Sequence, residues 1–207
     1  MGAHIDSNDG FAPLTIKGGP LHGIEYKSPV ASAQVKSAIL LAGLFASSPT
    51  TVIEPAKSRD HTELMLKRFG ARLEVKKNNV KILPAKELYA ANINIPSDIS
   101  SAAFFMGAAL LVPGSEITLK NVGVNPTRDG VIEVLKDMGG DIEVFNCYNN
   151  FEPVADIRVR YSKLHAATIS GDIIPALIDE IPLIAAIASI AEGTTIIRDA
   201  AELKVKE

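Results

Sequence analysis

The sequence predicts an α/β protein assembled from repeated units, and two observations carry that reading. The segment LMLKRFGARLEV around Gly70 matches EVLKDMGGDIEV around Gly139, and the opening MGAHI resembles the end of the same element, so Gly2, Gly70 and Gly139 stand 68 and 69 positions apart. Within each unit an apolar, small-residue stretch of helical length leads into a short run rich in Thr, Val and Ile, the composition of a strand.

Taken in chain order, the first helix is SAQVKSAILLAGLFA from Ser32, followed by the strand TTVIEP. A second helix follows Arg59-Asp60, and ARLEVKKNNVKILP reads as a hairpin turning at Asn78 and Asn79 between alternating apolar residues. The pattern then recurs: SSAAFFMGAALLV from Ser100, SEITLKNV, and a second helix after Arg128-Asp129. A third pass starts with IPLIAAIASIAEG from Ile181 and TTIIRDA, and brings Lys206-Glu207 to the place held by Arg59-Asp60 and Arg128-Asp129. An acidic residue at a helix start complements the dipole, which accounts for each pair without invoking a ligand. The linker KELYAANINIPSDISSAA marks the best domain border, giving 1–96 as one part and 97–207 as the other. The first unit enters at a helix end and the last stops where a second helix is due, so a fragment of a longer repeat protein is expected.

Composition narrows the function classes. Hydrophobic residues at 47 % and charged residues at 22 % fit a packed globular protein and exclude a disordered or fibrous chain. No apolar run approaches the roughly 20 residues that span a bilayer, so no membrane association is expected. The N-terminus lacks the basic and apolar run of a secretory leader, making the cytoplasm the default compartment. Cys147 is the single cysteine, which excludes an internal disulfide framework and a cysteine zinc cage. His4, His22, His61 and His165 show no ligand spacing, and no metal is assigned. A net charge of −3 and a pI near 5.8 argue against nucleic acid, so an anionic ligand needs a local pocket.

Several side chains are candidates for such a pocket. Ser28, Pro29 and Ser32 precede an apolar helix whose first N–H groups lack intrahelical acceptors, an arrangement that binds phosphate or simply caps the helix. Gln34 and Lys36 are polar near the start of that helix, which adds weight to a site. Arg59 forks onto phosphate or carboxylate, or onto a surface carboxylate, with Asp60 or Thr62 as cap. Asp179 and Glu180 stand between apolar runs, where carboxylates persist as caps, as paired charges or as proton-transfer groups. Lys204, Lys206 and Glu207 begin the third cation-anion position, Asp98 reads as an N-cap, and Cys147, with no flanking cation, as structural.

Together KSPVASAQVKSAILLAGL, SRDHTE, SSAAFFMGAALL, LIDEIPLIA and LKVKE resemble the EPSP synthase (3-phosphoshikimate 1-carboxyvinyltransferase) family over the whole chain, and the SAQ form resembles its glyphosate-tolerant bacterial class. The resemblance implies βαβαββ units packed about a pseudo-threefold axis in a two-domain enolpyruvyl transferase fold, the inverse α/β prism, with substrates in the cleft between domains. It implies transfer of the enolpyruvyl group of phosphoenolpyruvate to the 5-hydroxyl of shikimate 3-phosphate, in aromatic amino acid biosynthesis, with no cofactor and usually as a monomer. Carried over residue by residue, Ser32, Ala33 and Gln34 match the shikimate-phosphate loop and Arg59 a further substrate contact. Asp179 matches the carboxylate at the 4- and 5-hydroxyls, the candidate base; Lys206 matches a substrate lysine and Glu207 the acid-base group at the phosphoenolpyruvate methylene. The family's N-terminal Lys-Ser and its phosphoenolpyruvate arginines have no counterpart here, so weak or absent phosphoenolpyruvate binding and an inactive isolated chain are expected. Asp98 and Arg128 are assigned hinge or structural roles. The alternatives are the sister enolpyruvyl transferase acting on UDP-N-acetylglucosamine, whose loop cysteine Cys147 does not match in context, and an anion-binding fragment without catalysis.

Overall fold

Helix and strand alternate through a computed structural model that describes residues 1–205, and the chain packs as two units, Met1–Asn92 and Ile93–Glu207. The first opens with an antiparallel hairpin, β1 (His4–Asn8) and β2 (Phe11–Lys17), exposed along both strands. There follow β3 (Glu25–Lys27), α1 (Ala33–Leu44), β4 (Thr50–Ile53), α2 (His61–Arg68), β5 (Leu73–Lys76) and β6 (Asn79–Ile82). Their sheet has the order β3-β4-β6-β5, with β3 parallel to β4 and the other pairs antiparallel. A parallel pair requires a crossover, and α1 supplies it. Leu40 and Leu44 of α1, Leu66 of α2 and Val52, Val80 and Ile82 of the sheet form the core; each side chain fully buried this way contributes about 1.5–3 kcal/mol.

The hairpin turn lies one residue earlier than the sequence predicts. Lys77, at φ 52°, and Asn78 make the turn, while Asn79 already pairs with Lys76. The core decides this: pairing Leu73 with Ile82 keeps Val80 and Ile82 buried on one face, and a shift of one residue moves a strand's apolar set to the opposite face.

The second unit contains α3 (Ile99–Leu111), β7 (Glu116–Gly123), α4 (Gly130–Asp137), β8 (Asp141–Asn150), β9 (Glu152–Arg160), β10 (Thr168–Ile169), the short α5 (Ile174–Leu177), α6 (Ile181–Ala188) and β11 (Ile196–Ile197). The order β7-β9-β8, antiparallel throughout, repeats β4-β6-β5 of the first unit. Ser97 forms a single parallel bridge to Val122 where the first unit pairs β3 with β4, and β10 pairs parallel with β11 around α6. The βαβαββ pattern is therefore complete once in each unit, and a further βαβ follows in the second. Met106, Leu110, Leu135, Met138, Ile157 and Ile184 are fully buried in the second core.

The glycines that reveal the repeat share one backbone role. Gly2, Gly70 and Gly139 all adopt left-handed φ values, 89°, 87° and 91°. An aromatic ring lies on each: a Cβ at Gly2 would meet His22 at 3.2 Å, at Gly70 Tyr89 at 2.8 Å, and at Gly139 His165 at 3.1 Å. The same three residues donate their N–H groups to the carbonyls of Met1, Phe69 and Met138. Positive φ and the overlying ring together require a residue without Cβ.

Asp156 organises the centre of the second sheet. Both neighbours of β9 bulge beside it, at Asn121 (φ 54°) in β7 and Asn146 (φ 49°) in β8. Its carboxylate accepts from the Asn146 amide, the Asn121 N–H and the Lys120 ammonium, each at 3.0 Å. Those donors, Asn146 foremost, hold its pKa down at about 2. Cys147, read from the sequence as structural, is exposed in β8 beside this bulge.

Candidate functional site

In the first unit the predicted phosphate segment forms the N-terminus of α1. Ser32 is the N-cap, in extended conformation, and its hydroxyl accepts from the Val35 N–H at 3.4 Å. Ala33 and Gln34 are the first two helical residues, with Gln34 exposed. No acidic residue stands in the first turn, so the positive end of the dipole is not neutralised within the helix. Ser28 does not join this group: its hydroxyl donates to the Val30 carbonyl at 2.6 Å and its N–H to Ile53, fixing the entry loop instead.

Arg59 lies half-buried two residues ahead of α2. Asp60 occupies the N-cap position without bonding the helix N–H groups and pairs with Lys57 at 2.9 Å, while Thr62 bonds Ser37 at 2.6 Å and so ties α2 to α1. Neither is therefore a side-chain cap of α2.

Lys36 is buried rather than presented at the surface. It is 1 % exposed, and its ammonium meets Glu63 of α2 at 2.8 Å, Glu54 beyond β4 at 3.0 Å and the Ser58 carbonyl at 3.4 Å. One cation thus joins two buried carboxylates, whose second oxygens, Glu54 Oε1 and Glu63 Oε2, have no hydrogen-bond partner among the described residues, nor has the buried Ser58 hydroxyl. Each unsatisfied buried group costs about 1–3 kcal/mol.

In the second unit the starts of α3, α4 and α6 converge on Arg128. Its guanidinium donates to the Ser100 hydroxyl at 2.5 Å and lies 3.8 Å from Asp98, Asp179 and Glu180. Ser100 in turn donates to Glu180, the buried residue at the N-cap position of α6. Asp98 caps α3 as expected, accepting from Ser101 N–H at 2.8 Å. Burial pushes its carboxyl up, but the Ser101 and Ser100 donors and the Arg128 charge outweigh this and hold it below the ordinary range. Asp129, ahead of α4, is pushed up by burial and by Glu133 against the pull of its own backbone N–H. Asp179 remains exposed, on a pocket of about 260 Å³ with Ser100 and Glu180 at its polar end and Phe104, Pro182 and Leu183 along its wall.

Of the predicted residues, Ser32, Ala33, Gln34 and Arg59 lie in the first unit and Asp179 in the second. Lys206 and Glu207 lie outside the described residues. Arg128, read from the sequence as a hinge or structural residue, gathers the contacts between three helix starts, and sequence reasoning singled out neither Ser100 nor the acidic partners of Lys36. Among the described residues no group of three or more His, Cys, Asp or Glu side chains is placed to hold a metal ion, and no helix is long and apolar enough to cross a membrane.

Comparison with known proteins extends these observations. The family description EPSP synthase (3-phosphoshikimate 1-carboxyvinyltransferase) matches residues 1–207. A protein of that enzyme name from Bacillus licheniformis is 59 % identical over 210 residues, covering 100 % of this chain and 49 % of its own length. One from Geobacillus thermodenitrificans is also 59 % identical, with the same coverage. An EPSP synthase structure from Acinetobacter baumannii superposes with a TM-score of 0.92 at 48 % identity, covering 100 % of this chain and 48 % of that one. The enolpyruvyl transferase NikO from Streptomyces tendae, at 16 % identity and a TM-score of 0.76 over 96 % of this chain and 49 % of that one, shares the fold. The chain thus spans about half the length of the relatives it matches.

Proposed function

We propose, since this chain belongs to the EPSP synthase family, that it carries the acceptor-binding groups of an enzyme that transfers the enolpyruvyl group of phosphoenolpyruvate to the 5-hydroxyl of shikimate 3-phosphate. The observation that carries the reading is the contrast between helix starts. The α1 terminus offers Ser32, Gln34 and an uncompensated dipole, with Arg59 in the same unit, which suits a phosphate ester. The α3 and α6 starts already hold Asp98, Asp179 and Glu180, which repel an anion and suit hydroxyl donors. Shikimate 3-phosphate carries both kinds of group.

In the proposed chemistry Asp179 accepts the proton of the 5-hydroxyl as its oxygen attacks C2 of phosphoenolpyruvate, and an acid protonates the methylene carbon. Loss of that added proton with departure of phosphate from the tetrahedral intermediate restores the double bond. Glu207 is the proposed acid and Lys206 a substrate contact. The parts 1–96 and 97–207 are read as portions of the two family domains, and the cytoplasm as the compartment. The isolated chain is expected to bind shikimate 3-phosphate, to bind phosphoenolpyruvate weakly or not at all, and to release no phosphate.

Isothermal titration with shikimate 3-phosphate tests this. Saturable binding is expected, weakened about 10- to 150-fold by Arg59→Ala, from the roughly 1.5–3 kcal/mol of a charged hydrogen bond, and at least about tenfold by Asp179→Ala. Absence of heat from a chain shown to be folded by circular dichroism overturns the reading. Binding that both variants leave intact reduces the chain to an anion-binding fragment of another kind.

A further inference from the structure

We infer that Lys36 is a positioning residue: with Glu54 and Glu63 it locks the first turn of α1 and the segment carrying Arg59 into one arrangement, without touching the ligand itself. It deepens the reading above and takes from it only the identity of the ligand. Three chain segments meet at its ammonium: Lys36 itself, one turn past Ser32, Glu54 and Ser58 from the β4–α2 loop, and Glu63 from the first turn of α2. Arg59 follows Ser58 directly, so the carbonyl held at 3.4 Å is the peptide oxygen that precedes it. The Lys36 N–H bonds the Ser32 carbonyl at 3.0 Å and the Leu64 N–H the Asp60 carbonyl at 3.1 Å, so both predicted binding segments are within one bond of the cluster.

Stability does not explain the cluster. Two carboxylates share one ammonium, and Glu54 Oε1, Glu63 Oε2 and the Ser58 hydroxyl are buried without a hydrogen-bond partner among the described residues. Apolar side chains of similar volume commonly replace such a cluster with no loss of stability, whereas removal of a single partner is strongly destabilising. What an apolar cluster does not reproduce is direction: three charged hydrogen bonds at one nitrogen fix the spacing of three segments, and interchangeable methyl groups do not. Ser37 and Thr62, bonded at 2.6 Å, supply a second tie between the same two helices, so the helices stay paired while the loop is free to shift.

The test compares the wild-type chain with Lys36→Met, with the triple variant Lys36→Met, Glu54→Met, Glu63→Met, and with Glu54→Met, which leaves a charge-matched Lys36–Glu63 pair. Methionine matches the reach of glutamate, falls one atom short of lysine, and adapts to the site. Urea denaturation, amide hydrogen exchange and titration with shikimate 3-phosphate are read on each. Lys36→Met is expected to lower the urea midpoint and the triple variant to recover it. In the folded triple variant the Lys36 and Leu64 amides are expected to exchange at least about tenfold faster while Val52 and Val80 in the sheet keep their wild-type rates, and affinity is expected to fall by at least about tenfold. If the triple variant does not fold, Glu54→Met decides: faster exchange at the backbone amide of position 54, with Lys36 unchanged, is the expected result. Wild-type exchange at residues 36 and 64 in the folded triple variant, or at residue 54 in Glu54→Met when the triple variant does not fold, overturns the inference whether or not ligand binds. Faster exchange in a chain whose wild type binds no shikimate 3-phosphate upholds the inference and overturns the functional reading alone.

Discussion

Gly139→Ala is the most exacting check on the repeat, because its cost is predictable from two separate features of one residue. At φ 91° an alanine sits in the left-handed region, which costs about 1–2 kcal/mol. Its Cβ also falls 3.1 Å from the His165 ring, which cannot retreat freely because the His165 N–H is bonded to Met138. Moving the ring adds about 1 kcal/mol, the lower end of the overpacking range. Alanine also reduces unfolded-state freedom, which offsets about 0.4–1 kcal/mol. The net expectation is a loss of about 1–2.5 kcal/mol, measured from urea midpoints at constant slope. Gly114→Ala separates the contributions, since Gly114 has φ 79° but nothing near its Cβ, and it should lose about 1 kcal/mol less. Adding His165→Ala to Gly139→Ala should relieve the contact and leave the strain. Equal losses at Gly114 and Gly139 refute the ring's contribution, and no loss at Gly139 refutes the backbone argument for the whole glycine series.

Two further expectations concern charged groups of the second unit. Asp156 has a folded pKa of about 2, below its ordinary value of 3.8, so the stability it contributes is fully present above about pH 4 and is lost as pH falls toward 2. The difference in urea midpoint between wild type and Asp156→Asn should therefore be constant from pH 5 to 7 and shrink below pH 4; a difference that persists unchanged at the acid end contradicts the assignment. Arg128→Met removes the donor to Ser100 and the cation beside Asp179 and Glu180, and should cost about 1.5–3 kcal/mol by urea denaturation. Arg128→Lys keeps the charge but not the fork, and should recover only part of that loss; full recovery by lysine shows that charge alone suffices.

The architecture was legible because its two signals are set by the backbone. A Cβ at positive φ beneath an aromatic ring costs stability, so Gly2, Gly70 and Gly139 mark the period of the repeat. The strands TTVIEP and SEITLKNV declare themselves through β-branched composition and appear as β4 and β7. The exact turn at Lys77-Asn78 was not legible from asparagine content, since register is decided by which residues the sheet buries. Likewise α6 stops at Ala188, short of the apolar run that continues to Ala191, because composition alone does not mark where helical hydrogen bonding ends.

The site was legible in part for a related reason. Ser32 and Asp98 cap their helices within one turn, so local spacing identifies them. Lys36 was counted with Gln34 as a polar residue adding weight to a site because α1 is apolar nearly all round, and periodicity then selects no buried face. The structure buries Lys36, Leu40 and Leu44, which recur every four residues on one stripe, while Gln34 lies off it. A lysine on that stripe must be paired, and its partners Glu54 and Glu63 stand 18 and 27 positions away in segments that read as a strand end and a helix start. Only the packing of α1 across β4 and α2 brings them together. Arg128 shows the same limit: its four partners, Asp98, Ser100, Asp179 and Glu180, are spread over 83 residues from Asp98 to Glu180, and it is the convergence of three helix starts that makes them neighbours. Capping chemistry is written locally, whereas the charge clusters that orient a site are written in the topology.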